Sequence, residues 1–198
     1  RFLRRPADIP TNYHYVLRYE EERTILIKHE VYPYALPADL TSARWVYLSS
    51  LGGNSLEHHH EIAHWLREHP DVKFALQPGT FQIKLGIEAL RDLYERAELF
   101  FCNKQEAQRI LSMRDEESVP ALLQALRARG PKIPVITDGP RGAWALDGSE
   151  ILQVPMYPDP APPVDRTGAG DSFSATVTAA LALGLSLPDA LRWGPINS

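Results

Sequence analysis

Asp165-Arg166-Thr167-Gly168-Ala169-Gly170-Asp171-Ser172-Phe173 is a turn of small residues that runs directly into an apolar helix, with an acid at the helix mouth. Behind Phe173 the apolar Val177, Ala180 and Leu181 recur at helical spacing, which predicts a helix beginning near Gly170. Its first N–H groups have no partner inside the helix and point at whatever occupies the turn. The partial positive charge of a helix start favours negative oxygens, and glycines let the backbone approach them with no Cβ in the way, so phosphate is the expected occupant. Asp171 is the odd residue, because a carboxylate is repelled by phosphate. It has either a capping role, common for Asp at a helix start, or a chemical one, accepting the proton of an attacking hydroxyl. The residues by themselves leave both open.

Working upstream, apolar runs at 45–49, 72–77, 99–103 and 135–138 alternate with helix-like stretches near 56–69, 86–97 and 104–129. That alternation predicts βαβ units, a parallel sheet, and ligands bound outside the carboxyl ends of the strands. Residues 143–146 and 151–155 read as short antiparallel strands around Asp147-Gly148, a turn pair favoured in hairpins. Five prolines lie between Pro155 and Pro163, where missing donors and fixed φ predict an extended connection delivering Val164 and Asp165 to the turn. Near the start, Tyr13 to Tyr19 and Arg23 to His29 are β-rich segments either side of Glu20-Glu21-Glu22, a predicted strand pair. The division is a strand pair with its connection over 1–40 and an α/β core over 41–198; the spacing of the pair fits a plain edge hairpin and a lid equally.

Two further motifs sit at predicted strand ends: Asn103-Lys104-Gln105-Glu106 after Phe100-Phe101-Cys102, and Thr137-Asp138-Gly139-Pro140-Arg141-Gly142 after Val135-Ile136. With the Asp165 to Phe173 turn they stand in the order found in the ribokinase-like (PfkB-type) sugar kinases, which this chain resembles. The counterparts there are an Asn-x-x-Glu, a Thr-x-Gly-x-x-Gly nucleotide loop and an Asp-x-Thr-Gly-Ala-Gly-Asp signature. The resemblance implies a three-layer α/β/α, Rossmann-like, mainly parallel sheet with a small β lid remnant at the N-terminus, making 1–40 a partial β lid and connection. It also implies a longer parent: members carry an N-terminal Gly-Gly…Asn substrate segment, so the chain reads as a fragment lacking that segment and the C-terminal end. Gly52-Gly53-Asn54 follows a core strand, the wrong place for that motif, and reads as a loop and helix start, with a substrate contact left open.

The activity implied is transfer of the γ-phosphoryl of ATP to a hydroxyl of a sugar. The alternatives are a nucleoside (adenosine-type) kinase of the same fold and an inactive nucleotide- or sugar-binding module. In this reading the amides of Gly168, Ala169 and Gly170 hold the charge on the transferred group and Asp171 accepts the alcohol's proton. By resemblance Asn103 and Glu106 hold Mg²⁺ through water, the plain alternative being that Asn103 caps the following helix. Thr137, Gly139 and Gly142 line the nucleotide path, or form only a turn. Arg141 contacts phosphate or is a surface cation, Asn197 begins the adenine-side helix, and Asp165 serves a K⁺ loop or fixes the turn.

Composition narrows the alternatives. The 198 residues are 44% hydrophobic and 23% charged with a formal charge of −4, enough for one domain with a sizeable core and without the basic stripe that nucleic acid demands. The longest strongly apolar stretch, Ala179 to Leu185, is far short of the ~20 residues that cross a bilayer. Cys102 stands alone, so no internal disulfide is available, and a buried thiol in a reducing cytoplasm is expected. The expected partners are a small sugar or nucleoside and, through the lid, a second copy of the chain. One competing motif, His60-Glu61-Ile62-Ala63-His64, matches the H-E-x-x-H zinc pattern. It lacks a third ligand, and Leu56, Ala63 and Leu66 with Ile62 define the buried side of that helix, which leaves His60 and His64 to water.

Overall fold

A computed structural model describes residues 6–19, 22–37, 40, 43–158 and 167–198. Six strands form one sheet in sequential order: β3 (Trp45–Leu48), β4 (Lys73–Leu76), β5 (Leu99–Asn103), β6 (Ile133–Thr137), β7 (Ala143–Asp147) and β8 (Glu150–Val154). Pairing is parallel from β3 to β6 and antiparallel from β6 to β8, the turn at Gly148 being made at φ +56°.

Alternation along the strands sorts the core into two layers. Phe74, Leu76, Phe100, Cys102 and Ile136 face one side, and pack with α1 (Leu56–Glu68), α3 (Arg91–Arg96), α4 (Lys104–Leu111) and α5 (Val119–Arg127). Ala75, Leu99, Phe101, Val135 and Ala145 face the other, against α6 (Ala169–Ala182) and α7 (Leu187–Trp193). This is the expected α/β/α sandwich. Leu99, Phe100 and Phe101 are each at most 1% exposed, so β5 is buried on both faces, as the central strand of such a sheet must be. Cys102 is a free, buried thiol whose pKa burial pushes well up, leaving it protonated and unreactive.

Two helical stretches depart from the sequence reading. The stretch 104–129 is two helices. Ser112 turns left-handed at φ 57° and ends α4, and the Ser118 hydroxyl caps α5 by accepting from Ala121 N–H at 3.3 Å, with Pro120 in its first turn. The stretch 86–97 is a single helical turn at Glu88–Leu90 leading into α3, and an unforeseen short helix, α2 (Thr80–Leu85), precedes it. α2 exists because Gln82, fully buried, ties two strand-end loops together. It accepts from Gly79 N–H at 2.8 Å and donates to Ser49 O at 2.8 Å.

β1 (Tyr13–Tyr19) and β2 (Glu22–Lys28) form a separate antiparallel hairpin with Tyr15 opposite Leu26 and Val16 opposite Ile25. The chain after it lies along the β3–α1 loop: Tyr34 Oη accepts from Gly52 N–H at 3.1 Å and Asn54 Nδ2 donates to Tyr32 O at 3.0 Å. Gly52-Gly53-Asn54 is therefore the loop and helix start expected of it, and it anchors the hairpin. In α1, His60 and His64 are exposed while Ile62, Ala63 and Leu66 are buried, and no group of three or more metal-ligating side chains occurs among the described residues. No described helix is long and apolar enough to cross a membrane.

Candidate active site

The sheet delivers the sequence motifs to one edge. β3, β4, β5 and β6 run parallel, so their carboxyl ends at Leu48, Leu76, Asn103 and Thr137 lie together, and the N-terminus of α6 meets them. Gly168 caps α6 at φ +84° with no side-chain cap, and Ser172 N–H is bonded back to Gly168 O at 2.8 Å. The amides of Gly168, Ala169 and Gly170 belong to the cap and first turn, where a helix supplies no partner. A Cβ built on Gly170 meets no atom within 4 Å, so packing does not explain a glycine here; the open approach to the backbone does.

Asp171 stands exposed in this first turn and accepts a hydrogen bond from Gln77 Nε2 at 2.7 Å. Gln77 in turn accepts from the Tyr47 hydroxyl. Burial, with the Asp171 carboxylate adding to it, pushes the Tyr47 phenol up to about 12, against a smaller opposing contact from Ser174. Neither Gln77 nor Tyr47 was singled out from sequence. Gln77 is 94 positions from Asp171, and its one signal was a polar residue closing an apolar strand at its carboxyl end.

At the end of β5, Asn103 and Glu106 form a reciprocal capping box. Asn103 Oδ1 accepts from Glu106 N–H at 2.8 Å, and Glu106 Oε2 accepts from Asn103 N–H at 2.8 Å. The capping role is thus present, and Glu106 Oε1 lies outside the box. Burial raises the Glu106 pKa above its ordinary value; Asn103 N–H and Arg109 oppose this, and Asp171 adds to it. Glu106, with one oxygen held in the box and the other outside it, is the donor here that a divalent cation would use.

The 137–142 loop is locked by its own residues. Asp138, 7% exposed, takes both Arg141 bonds, Nε to Oδ2 at 2.6 Å and Nη2 to Oδ1 at 2.7 Å, and its N–H donates to Gly142 O at 2.8 Å. Arg141 therefore holds the loop. Gly142, at φ +88°, has its Cβ position 2.1 Å from Val154 O, whereas Gly139, at φ +52°, faces open space. Asn197 reaches the outer side of α6, donating to Ser172 Oγ at 3.1 Å and Thr176 Oγ1 at 2.9 Å. Asp165 lies outside the described residues. A cavity of about 160 Å³ lined by His59, His60 and residues 88–93 sits between α1 and α3 and includes none of these side chains.

An α/β sheet with a glycine-led helix start and an acid at its edge defines a class of phosphate-handling proteins. The chain belongs to the pfkB family of carbohydrate kinases, whose family model matches residues 1–195. A cytidine kinase of Thermococcus kodakarensis is 34% identical over 109 residues, which is 54% of this chain and 37% of that protein. Mouse ketohexokinase is 26% identical over 168 residues, 79% of this chain and 51% of the relative. The chain thus spans about a third to a half of these curated relatives. Among solved structures, Anopheles gambiae adenosine kinase in complex with P1,P4-di(adenosine-5) tetraphosphate superposes at TM-score 0.80 with 18% identity, over 98% of this chain and 62% of the other. Arabidopsis thaliana ribokinase complexed with ribose and ATP superposes at TM-score 0.75 with 23% identity, over 94% and 61%. The ribokinase-like fold is common to all three.

Proposed function

We propose that the protein transfers the γ-phosphoryl of ATP to a hydroxyl of a small sugar or sugar-like molecule. The observation that carries this reading is Asp171 in the first turn of α6, beside the amides of Gly168, Ala169 and Gly170 and held from the side by Gln77. Amides fixed in a helix start stabilise charge on the transferred oxygens without reorganising during the reaction. Asp171 accepts the alcohol's proton as the new O–P bond forms and the bond to the β-phosphate oxygen breaks; the β-phosphate leaves with ADP. The transition state is loose, so the alcohol becomes acidic late and orientation of the carboxylate matters more than its basicity. Thr137, Gly139 and Gly142 form the nucleotide wall, with Arg141 holding that wall in shape through Asp138, and Asn197 closes the adenine side.

Mg²⁺, held through Glu106 with Asn103 behind it, would neutralise phosphate charge. Glu106 is suited to this because the capping box fixes its side chain while leaving one oxygen outside. The hairpin β1–β2 is read as a lid over the acceptor. Relatives named as ribokinase, ketohexokinase and cytidine kinase support both a sugar and a nucleoside as acceptor. Incubation of the protein with Mg-ATP and a panel of sugars and nucleosides, next to Asp171→Asn, tests the reading. Phosphorylated product from the wild type and its loss in the variant, by a factor on the order of 10² to 10⁴, is the expected result. Nucleotide binding without product from any acceptor overturns it in favour of a binding module.

A further inference from the structure

We propose that Gln77, steadied by Tyr47, is the positioning residue that holds the Asp171 carboxylate in the orientation from which it accepts the alcohol's proton. The inference rests on the reading of Asp171 as the proton acceptor and adds residues that the three sequence motifs do not contain.

The direction of the contact chain follows from donor chemistry. A carboxylate only accepts, so the Gln77 amide must turn its NH₂ toward Asp171, and Nε2 lies 2.7 Å from Oδ1. Gln77 Oε1 is then forced to face Tyr47, whose hydroxyl donates to it. Reversing the amide would set its carbonyl against the carboxylate, so only one arrangement satisfies all three groups. Tyr47 keeps its proton throughout the physiological range, since its phenol titrates at about 12. It is therefore a permanent donor and does not compete for the alcohol's proton. Tyr47 lies on β3 opposite Ala75 of β4, and Gln77 is the first residue past the end of β4, where its N–H donates to Leu48 O at 2.9 Å.

The rigidity matters because Asp171 itself is exposed. A free carboxylate in a helix's first turn samples several rotamers, and one held at Oδ1 presents Oδ2 along a single direction. The neighbouring side chain, Ser172, is fixed separately: its hydroxyl donates to Asn197 O and accepts from Asn197 Nδ2. The two flanks of the α6 start are thus tied to different parts of the molecule, one to the sheet and one to the chain after α7. The Tyr47 hydroxyl also meets Ser174 of α6, so the phenol ties the amide to the same helix that carries Asp171. The large docking contacts are elsewhere, in Phe173 and Val177, which are 3% and 0% exposed.

Gln77→Met keeps the length and volume of the side chain and deletes the donor. The expected result is a kcat lowered on the order of ten- to a hundredfold, as for a misaimed reacting group, with KM for Mg-ATP and the thermal midpoint unchanged. Tyr47→Phe lowers kcat less, and the double variant is no worse than Gln77→Met, because both act through one carboxylate. Unchanged kcat in Gln77→Met while Asp171→Asn is inactive overturns the positioning role alone. Turnover retained in Asp171→Asn overturns the proton-acceptor reading and this inference with it. Losses confined to KM or thermal stability overturn it as well. A crystal structure of Gln77→Met supplies a readout independent of turnover: Asp171 is expected to leave its present rotamer, and an unmoved carboxylate overturns the proposal.

Discussion

Gly170 and Gly142 are glycines for opposite reasons, and single substitutions separate them. At Gly142 an added methyl meets Val154 O at 2.1 Å and Pro155 Cα at 2.9 Å on a residue already at φ +88°. Gly142→Ala is expected to lose about 2 kcal/mol or more of stability, because strain and overlap add. At Gly170 the same methyl meets nothing within 4 Å and the backbone is helical. Gly170→Ala is therefore expected to leave the thermal midpoint unchanged or raise it slightly, since alanine is the better helix former by up to ~1 kcal/mol. It is also expected to lower phosphoryl transfer at least tenfold, because the methyl stands where phosphate oxygens would meet the amides. Thermal melts and initial rates on the two variants check this. A fully active Gly170→Ala refutes the amide cradle, whatever its stability.

The Asn103–Glu106 box at the start of α4 makes structure and chemistry pull in different directions. The folded-state pKa of Glu106 is raised, chiefly by burial, so the folded chain holds that proton more tightly than the unfolded chain does. This group therefore contributes stability that is present at acid pH and lost as pH rises through its folded pKa. At neutral pH its charge is a liability to the fold. Glu106→Gln keeps an acceptor for Asn103 N–H and removes the charge. The expected outcome is a midpoint at pH 7 equal to or above wild type, a difference that vanishes toward acid pH, and Mg-dependent turnover that falls sharply. Melts from pH 4 to 8 beside rate measurements decide it, and a variant destabilised at pH 7 would refute the account. At this scale the sequence was readable where apolar residues recur at helical period behind a loop of small residues, as for α1 and α6. It misled across 104–129, which the left-handed Ser112 and the Ser118 cap divide into two helices. It was silent on α2, whose cause is Gln82 bonding to loops that only the assembled sheet brings near. Tyr47 and Gln77 were illegible for the same reason: their partners are distant in sequence, and no local pattern encodes a contact across 94 residues.

Over the whole molecule, the sandwich follows from alternation along the strands, while the hairpin β1–β2 poses a separate problem. A two-stranded ribbon is marginal in water by itself, yet this one exposes apolar groups on both faces. Tyr13, Tyr15, Leu17 and Leu26 lie on one, Val16, Ile25 and Ile27 on the other, and each is at least 38% exposed. The second face also carries His14, whose Nε2 is 3.2 Å from His29 Nε2, and the His29 ring packs 5.3 Å from Phe81 of α2. That contact is made from the Val16 and Ile25 face, which is the face on the side of α2, opposite the Tyr15 and Leu17 face. The two faces should then answer to different measurements. Tyr15→Lys with Leu17→Lys puts like charges on the face opposite α2, and is expected to abolish concentration-dependent self-association in sedimentation velocity while leaving KM for the acceptor alone. Ile25→Lys charges the face on the side of α2, and is expected to raise KM for the acceptor at least several-fold while self-association persists. If the wild-type chain stays monomeric at high concentration, the Tyr15 and Leu17 face has no role in pairing two copies. If both variants change the same quantity, the hairpin does not divide its faces between partner and acceptor, and its apolar residues serve one surface only.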